Sequence, residues 1–144
     1  MAEVLMVSKA ITPPWNDSGK NLVRDLARGL RRHVPTLMVA DGDPGVPRAR
    51  LLRVYRGGVG FAPGIRDQAR VFAHLIASRR PRLWHFFFAP NPRSCMAGGL
   101  ATRMRSKPSV HTISSAPRDV RAIVPQLFAE LNVVLSAHSE QRFL

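Results

Sequence analysis

Short apolar runs recur along the chain at 3–8, 35–40, 50–55, 83–89, 109–113 and 131–135. Between them lie stretches whose apolar residues return every third or fourth position. Runs of this kind, bounded by Pro, Gly, Asp or Ser, have the pattern of strands buried on both faces, and the intervening stretches have that of one-sided helices. Regular alternation of the two predicts a parallel sheet covered by helices on both sides. The expected fold class is therefore α/β, with a mostly parallel six-stranded sheet. Function is to be sought in the loops after the strands, where such sheets bind ligands.

Lys9 to Asn16 follows the first run, and Pro13 and Pro14 bar a helix there. Asp17 or Ser18 can cap a helix reaching about His33, with Leu22, Val23, Leu26, Ala27 and Leu30 as its apolar stripe. Lys20, Arg24, Arg28, Arg31 and Arg32 occupy its polar side. A second helix over about 65–79 is expected to bury Ile65, Ala69, Phe72, Ala73 and Ile76. Pro90 and Pro92 end the fourth run, and a helix from about Ser94 to Arg105 follows. Val120, Ile123, Val124, Leu127 and Phe128 give a further helical face, bent at Pro125. The last run leads into Ser136–Gln141, which reads as a helix start, and the sequence stops at Leu144. That stop at the threshold of a helix suggests one lobe of a larger two-lobed protein.

Composition narrows the picture. A chain of 144 residues can bury a proper core. No apolar run approaches the roughly 20 residues that span a bilayer, and Cys95 is the single cysteine, which fits a reducing, cytoplasmic setting. The formal net charge is +13, nearly all from arginine, since the lysines are Lys9, Lys20 and Lys107. Such a surface attracts phosphate, whether on nucleic acid, anionic lipid or a sugar nucleotide.

Candidate chemistry is sparse. Ser18-Gly19-Lys20-Asn21 opens a helix directly after a strand and loop, where backbone N–H groups and the helix dipole favour an anion. It is not a Walker A loop, because Pro14 stands where a glycine belongs and Asn21 replaces the Ser or Thr. Gly58, Gly60 and Gly64 fail the dinucleotide fingerprint: the third glycine is one place late, and no acidic residue follows at the required distance. His85 and His111 sit on apolar strands and read as core. His33, His74 and His138 lack metal-site spacing, so neither metal nor cofactor is expected. No Ser-His-Asp set or carboxylate pair can be nominated.

In order and spacing these pieces resemble the N-terminal lobe of a GT-B glycosyltransferase, most closely the family 4, retaining type. The matching segments are Val4–Ser8, the proline-rich loop with Gly19, Asn21–Leu30, Arg82–Phe87, Lys107–Thr112 and Leu131–Ser139. The resemblance covers essentially the whole chain. It implies a Rossmann-like three-layer sandwich forming the acceptor side, residues 1–144, with the donor lobe absent. The full enzyme would move a sugar from a nucleotide diphosphate donor to a hydroxyl acceptor, and this half alone would be inactive. The loop of Asp17, Ser18, Gly19, Lys20 and Asn21 would face the donor diphosphate, and Trp15, His85, Asn91 and Ser114 are acceptor-cleft candidates. Ser114 stands where relatives often carry histidine, Arg82 where they carry Asp, and Phe87 where they carry a second histidine, so no catalytic residue is transferred.

Because many such transferases act on lipid-linked acceptors, Arg24, Arg28, Arg31 and Arg32 are expected to meet an anionic membrane surface, giving a peripheral contact at the inner membrane face. The alternative is a non-catalytic basic α/β module binding nucleic acid or another phosphorylated ligand. No helix-turn-helix, zinc finger or RNP-type aromatic pattern supports nucleic acid. A small stand-alone flavodoxin-like or nucleotide-binding domain is a further alternative.

Overall fold

The computed structural model describes residues 1–56 and 63–143. Gly58 and Gly60, tested above against the dinucleotide fingerprint, lie outside the described residues. The strands are β1 (Glu3–Val7), β2 (Val34–Val39), β3 (Arg50–Arg53), β4 (Leu83–Phe87), β5 (Ser109–Ile113) and β6 (Leu131–Val134). The helices are α1 (Ser18–Gly29), α2 (Ile65–Ala77), α3 (Pro92–Arg105), α4 (Val120–Ile123) and α5 (Ala137–Phe143). The strands form one six-stranded sheet in the order β3-β2-β1-β4-β5-β6, and every pairing is parallel. The expected sheet is thus present and wholly, not mostly, parallel.

Strand alternation divides the core in two. Leu5, Val7, Met38, Trp84 and Phe86 face one side, where they meet Leu75 of α2 and Ala101 of α3. Met6, Leu37 and Val39 face the other and meet Val23 and Ala27 of α1. Each fully buried large side chain in such a layer contributes about 1.5–3 kcal/mol relative to exposure. β1 and β4 lie in the middle of the sheet, which is why their sequences are apolar on both faces.

Several helices depart from the sequence reading. α1 ends at Gly29 rather than near His33, so Arg31 and Arg32 lie in the connection to β2 and not on the helix. Leu26, expected in the buried stripe, is exposed. In α2 the buried positions are Asp67 and Leu75, while Ile65, Ala69 and Ala73 face solvent. Phe72 and Ile76, also expected on the buried side, do pack against the core, so periodicity placed two of its five positions correctly and three on the outward face. α4 passes into a 3-10 turn at Val124–Gln126, the bend expected at Pro125.

α3 has a further requirement. A Cβ built on Gly98 lies 2.6 Å from Cζ of Phe128, and one on Gly99 lies 3.1 Å from its Cβ. The two glycines form a seat for the Phe128 ring, which is itself wedged against Phe86 at 4.9 Å and His111 at 5.7 Å between centroids. Gly98→Ala is expected to lower stability by about 1–2 kcal/mol, because overpacking outweighs the helix-propensity gain of about 1 kcal/mol. Thermal unfolding checks this, and Phe128→Leu in the same chain should recover most of the loss.

Candidate functional site

The strand order reverses direction between β1 and β4, so the loops leaving them diverge and open a crevice at the carboxyl edge of the sheet. A cleft of about 560 Å³ occupies that place. Val7, Leu75, Phe72, Phe86 and Phe88 give it an apolar wall. Its polar rim comes from the loop after β1 and the start of α1 (Ser8, Lys9, Asp17, Ser18, Gly19), the loop after β4 and the start of α3 (Asn91, Arg93, Ser94), and the end of β5 with the residues after it (Thr112, Ser114, Ser115). An apolar cavity with a few convergent polar groups is the ordinary form of a small-molecule site.

The five-residue loop at the start of α1 is only partly what the sequence suggests. Asp17, Ser18 and Gly19 line the cleft, whereas Lys20 and Asn21 do not. Lys20 is buried and turns its ammonium inward to donate to the Thr12 carbonyl at 3.0 Å. Asn21 donates from Nδ2 to the Trp15 carbonyl at 3.3 Å. Asp17 caps the helix by accepting from the Lys20 amide at 3.1 Å, and Lys9 Nζ lies 2.5 Å from its other oxygen. Burial pushes the Asp17 carboxyl up, but hydrogen bonds from Lys9 and from the Lys20 and Gly19 amides, with the Lys9 charge, hold it below its usual range. The N-terminus of α1 is therefore already capped by a carboxylate. A Cβ on Gly19 lies 3.1 Å from Asp17 Oδ1, so glycine keeps this wall of the cleft low.

α3 also aims its N-terminus at the cleft, with a neutral cap. Asn91 Oδ1 accepts from the Ser94 amide at 2.9 Å, Pro92 begins the helix, and no acidic residue occupies the first turn. Arg93 and Ser94 complete this edge, and sequence reading missed both. The signal was present in the Asn-Pro pair after an apolar strand, which marks a helix N-cap beside a strand end as Asp17 does.

Of the acceptor-cleft candidates, Asn91 and Ser114 line the cavity, and Trp15 and His85 do not. Trp15 lies under the Arg24 guanidinium, 4.1 Å from its carbon to the ring centroid, so Arg24 covers an indole instead of standing free on the helix face. Arg28 donates to the Gly45 carbonyl and bridges α1 to the loop after β2. Tyr55 lines the cleft and donates to the Ser8 carbonyl; burial first, and the Asp67 charge second, push its hydroxyl pKa up, so it stays protonated.

His85 stacks on Phe87 with centroids 4.0 Å apart, and its Nε2 is 2.7 Å from Thr112 Oγ1. It touches the cleft indirectly, through Thr112 and Phe87, which line it. Burial, and then the neighbouring His111, push the His85 pKa down to about 4. His111 is fully buried, with Nε2 2.9 Å from the Phe88 carbonyl, and burial also lowers its pKa. Both rings are neutral in the fold, whereas in the unfolded chain they take up protons near pH 6.5. The unfolded state then binds more protons on acidification, so stability is expected to fall as pH drops from about 6.5 toward about 4. Denaturant midpoints at about pH 7 and about pH 5 test this, and His85→Gln should flatten part of the slope. A midpoint that rises on acidification contradicts the assignment.

Among the described residues there is no group of three or more His, Cys, Asp or Glu placed to hold a metal ion. No helix among them is long and apolar enough to cross a membrane. Cys95 is buried, which pushes its thiol pKa up and away from reactivity.

No protein-family model matches the chain, and no curated protein matches it. Solved structures do. The crystal structure of Anabaena HepE in complex with UDP-glucose is similar at a TM-score of 0.65 and 17% identity, over 99% of this chain and 40% of that one. HepE in complex with UDP and glucose is similar at a TM-score of 0.64 and 18% identity, with the same coverage. At this identity the likeness is one of fold, and the chain spans about two-fifths of the length of HepE.

Proposed function

We propose that the chain is the acceptor-side, N-terminal lobe of a GT-B glycosyltransferase of the family 4, retaining kind, which moves a sugar from a nucleotide diphosphate to a hydroxyl. One observation carries the reading: a chain with its cleft at the β1/β4 switch point superposes almost entirely on two-fifths of a protein solved with UDP-glucose. A donor held between two lobes takes only part of its contacts from each. That accounts for a cleft lined by hydrogen-bonding groups and an apolar wall without a nucleophile–base pair.

In this reading Asn91, Ser114 and Ser115 hydrogen-bond sugar or acceptor hydroxyls, and Phe86 and Phe88 exclude water. Negative charge that develops on the leaving diphosphate meets Arg93 and the backbone donors of the Gly19 loop and the α3 N-terminus, groups fixed before the reaction begins. Because the Asp17 carboxylate already caps α1, whereas α3 has the neutral Asn91 cap, the α3 edge offers the better anion contact. The acceptor is a hydroxyl compound, and a lipid-linked one accords with the excess of arginine.

The test uses the 144-residue chain. Millimolar UDP-glucose should shift the amide resonances of Ser18, Gly19 and Ser94 and leave those of β3 in place, with no turnover by this lobe alone. Unmoved cleft resonances, or turnover at ordinary enzyme rates, would overturn the proposal. The net charge of +13 favours one second reading, a basic module for nucleic acid. Binding to RNA or DNA that survives high salt would support it, since purely electrostatic binding fades steeply.

A further inference from the structure

β4 and β5 run side by side to the floor of the cleft, and two histidines tie their ends from opposite faces of the sheet. In register Phe86 stands beside His111 and Phe87 beside Thr112. Strand alternation therefore puts His85, Phe87 and Thr112 on the α1 side and His111 on the side of α2 and α3. His85 of β4 reaches forward to Thr112 of β5, with Nε2 2.7 Å from Oγ1. His111 of β5 reaches forward to the Phe88 carbonyl at 2.9 Å, and because a carbonyl only accepts, this Nε2 carries the proton. Each tie ends on a residue that lines the cleft.

Thr112 is 3% exposed yet lines the cleft, so its hydroxyl is shielded from bulk water. A hydroxyl has one proton to give and two acceptor positions. Whichever way the bond to His85 runs, at least one acceptor position is left for the cleft. A sugar hydroxyl, which both donates and accepts, satisfies either arrangement, whereas an ionised phosphate oxygen only accepts. His85 is itself held, stacked on Phe87. Burial first, and His111 second, push its pKa down to about 4, so the ring is uncharged and offers no cation to a phosphate. For the same reason the two side chains are not a nucleophile–base couple, since so weak a base does not take the hydroxyl proton.

We infer that Thr112 is a specificity-determining contact for a sugar hydroxyl in the cleft, with His85 as the positioning residue that fixes the Thr112 hydroxyl. Resting on the transferase proposal, this deepens it by naming the group that reads the sugar and not the nucleotide. The tie at His111 holds the opposite wall. Phe88 cannot shift without breaking a bond to a fully buried ring, so Phe88 and Thr112 keep their spacing. A ligand without the matching hydroxyl leaves a shielded polar group unpaired, a mismatch rejected more strongly than the loss of an apolar contact.

A double-mutant cycle on ligand affinity tests this, with UDP-glucose and UDP titrated separately and the amide resonances of Gly19 and Ser94 followed. Thr112→Val removes the hydroxyl and keeps the shape, and His85→Phe keeps a ring on Phe87 and removes the tie. Each should weaken UDP-glucose binding about threefold to tenfold, the worth of one hydrogen bond, and UDP binding by less than about twofold. The double variant should bind no more weakly than the worse single one, because the second change removes only what the first has already lost. His85→Gln, whose amide reaches the hydroxyl, should recover most of the affinity. Thermal unfolding confirms that the variants fold, and His85→Asn, too short to reach Thr112, replaces His85→Phe if that chain does not.

Losses that multiply in the double variant would make His85 a packing residue and overturn the inference, as would undiminished binding by Thr112→Val. Equal losses for UDP and UDP-glucose would move the contact from the sugar to the nucleotide and overturn it too. Each of these results leaves the transferase reading standing, because the parent chain still binds the sugar nucleotide. A parent chain that binds neither ligand would sink both readings together.

Discussion

Trp84→Ala is expected to lower the stability of this chain by about 3–5 kcal/mol, out of a total of about 5–15 kcal/mol for a domain of ordinary stability. Trp84 is fully buried at the centre of β4, opposite Leu5 in register, with its ring edge-on to Phe86 at 6.3 Å. Alanine removes the largest side chain of the core and leaves a cavity that strands locked on both sides cannot close. The indole N–H has no hydrogen-bond partner among the described residues. Trp84→Phe removes that orphan donor along with part of the ring, so it should cost far less than alanine. Urea unfolding of the two variants checks both statements. A Trp84→Ala midpoint close to that of the parent chain contradicts the placement of this residue.

The second large effect is on activity. In the two-lobed enzyme proposed above, Gly19→Val is expected to reduce kcat/KM about 100-fold, a loss of roughly 2.7 kcal/mol in transition-state stabilisation. The new Cβ stands 3.1 Å from Asp17 Oδ1, and the branched side chain projects from a loop that lines the cleft. The oxygen that the new Cβ crowds is the one that caps α1, so a stability loss of about 1 kcal/mol is expected beside the loss of activity. Steady-state transfer with thermal unfolding separates the two effects. Unchanged kcat/KM would remove the Gly19 loop from the donor-facing surface.

Much of the fold was legible because it rests on short-range pattern. Each of the six apolar runs became a strand, with ends displaced by at most two residues. Three things were not legible. The α1 terminus was set by Gly29, while the arginines beyond it looked like more helix. The buried side of α2 was ambiguous because Ile65, Ala69 and Ala73 form a stripe as regular as the one that packs, and only the neighbouring helix decides between them. Asn91 and Ser114, named from the sequence, line the cleft because they stand in the segments that leave β4 and β5. His85 was misplaced because a strand residue's position does not say whether its side chain reaches the open end of the sheet or a layer beneath it. Arg93, which lines the cleft, was not named because an anion-binding loop was sought after the first strand alone.

The position of β1 has a consequence for how the chain is made. Its two neighbours are β2, beginning at Val34, and β4, beginning at Leu83. The first pairing closes a modest loop, but the second joins Val4 to Leu83 across most of the described chain. At synthesis rates of about 5–20 residues per second, β1 leaves the ribosome seconds before its second partner exists. Through that interval one edge of the most apolar strand pair stands open, and no hairpin elsewhere in this all-parallel sheet can form early to shield it. Slow, late-closing assembly follows from the same strand order that opens the cleft.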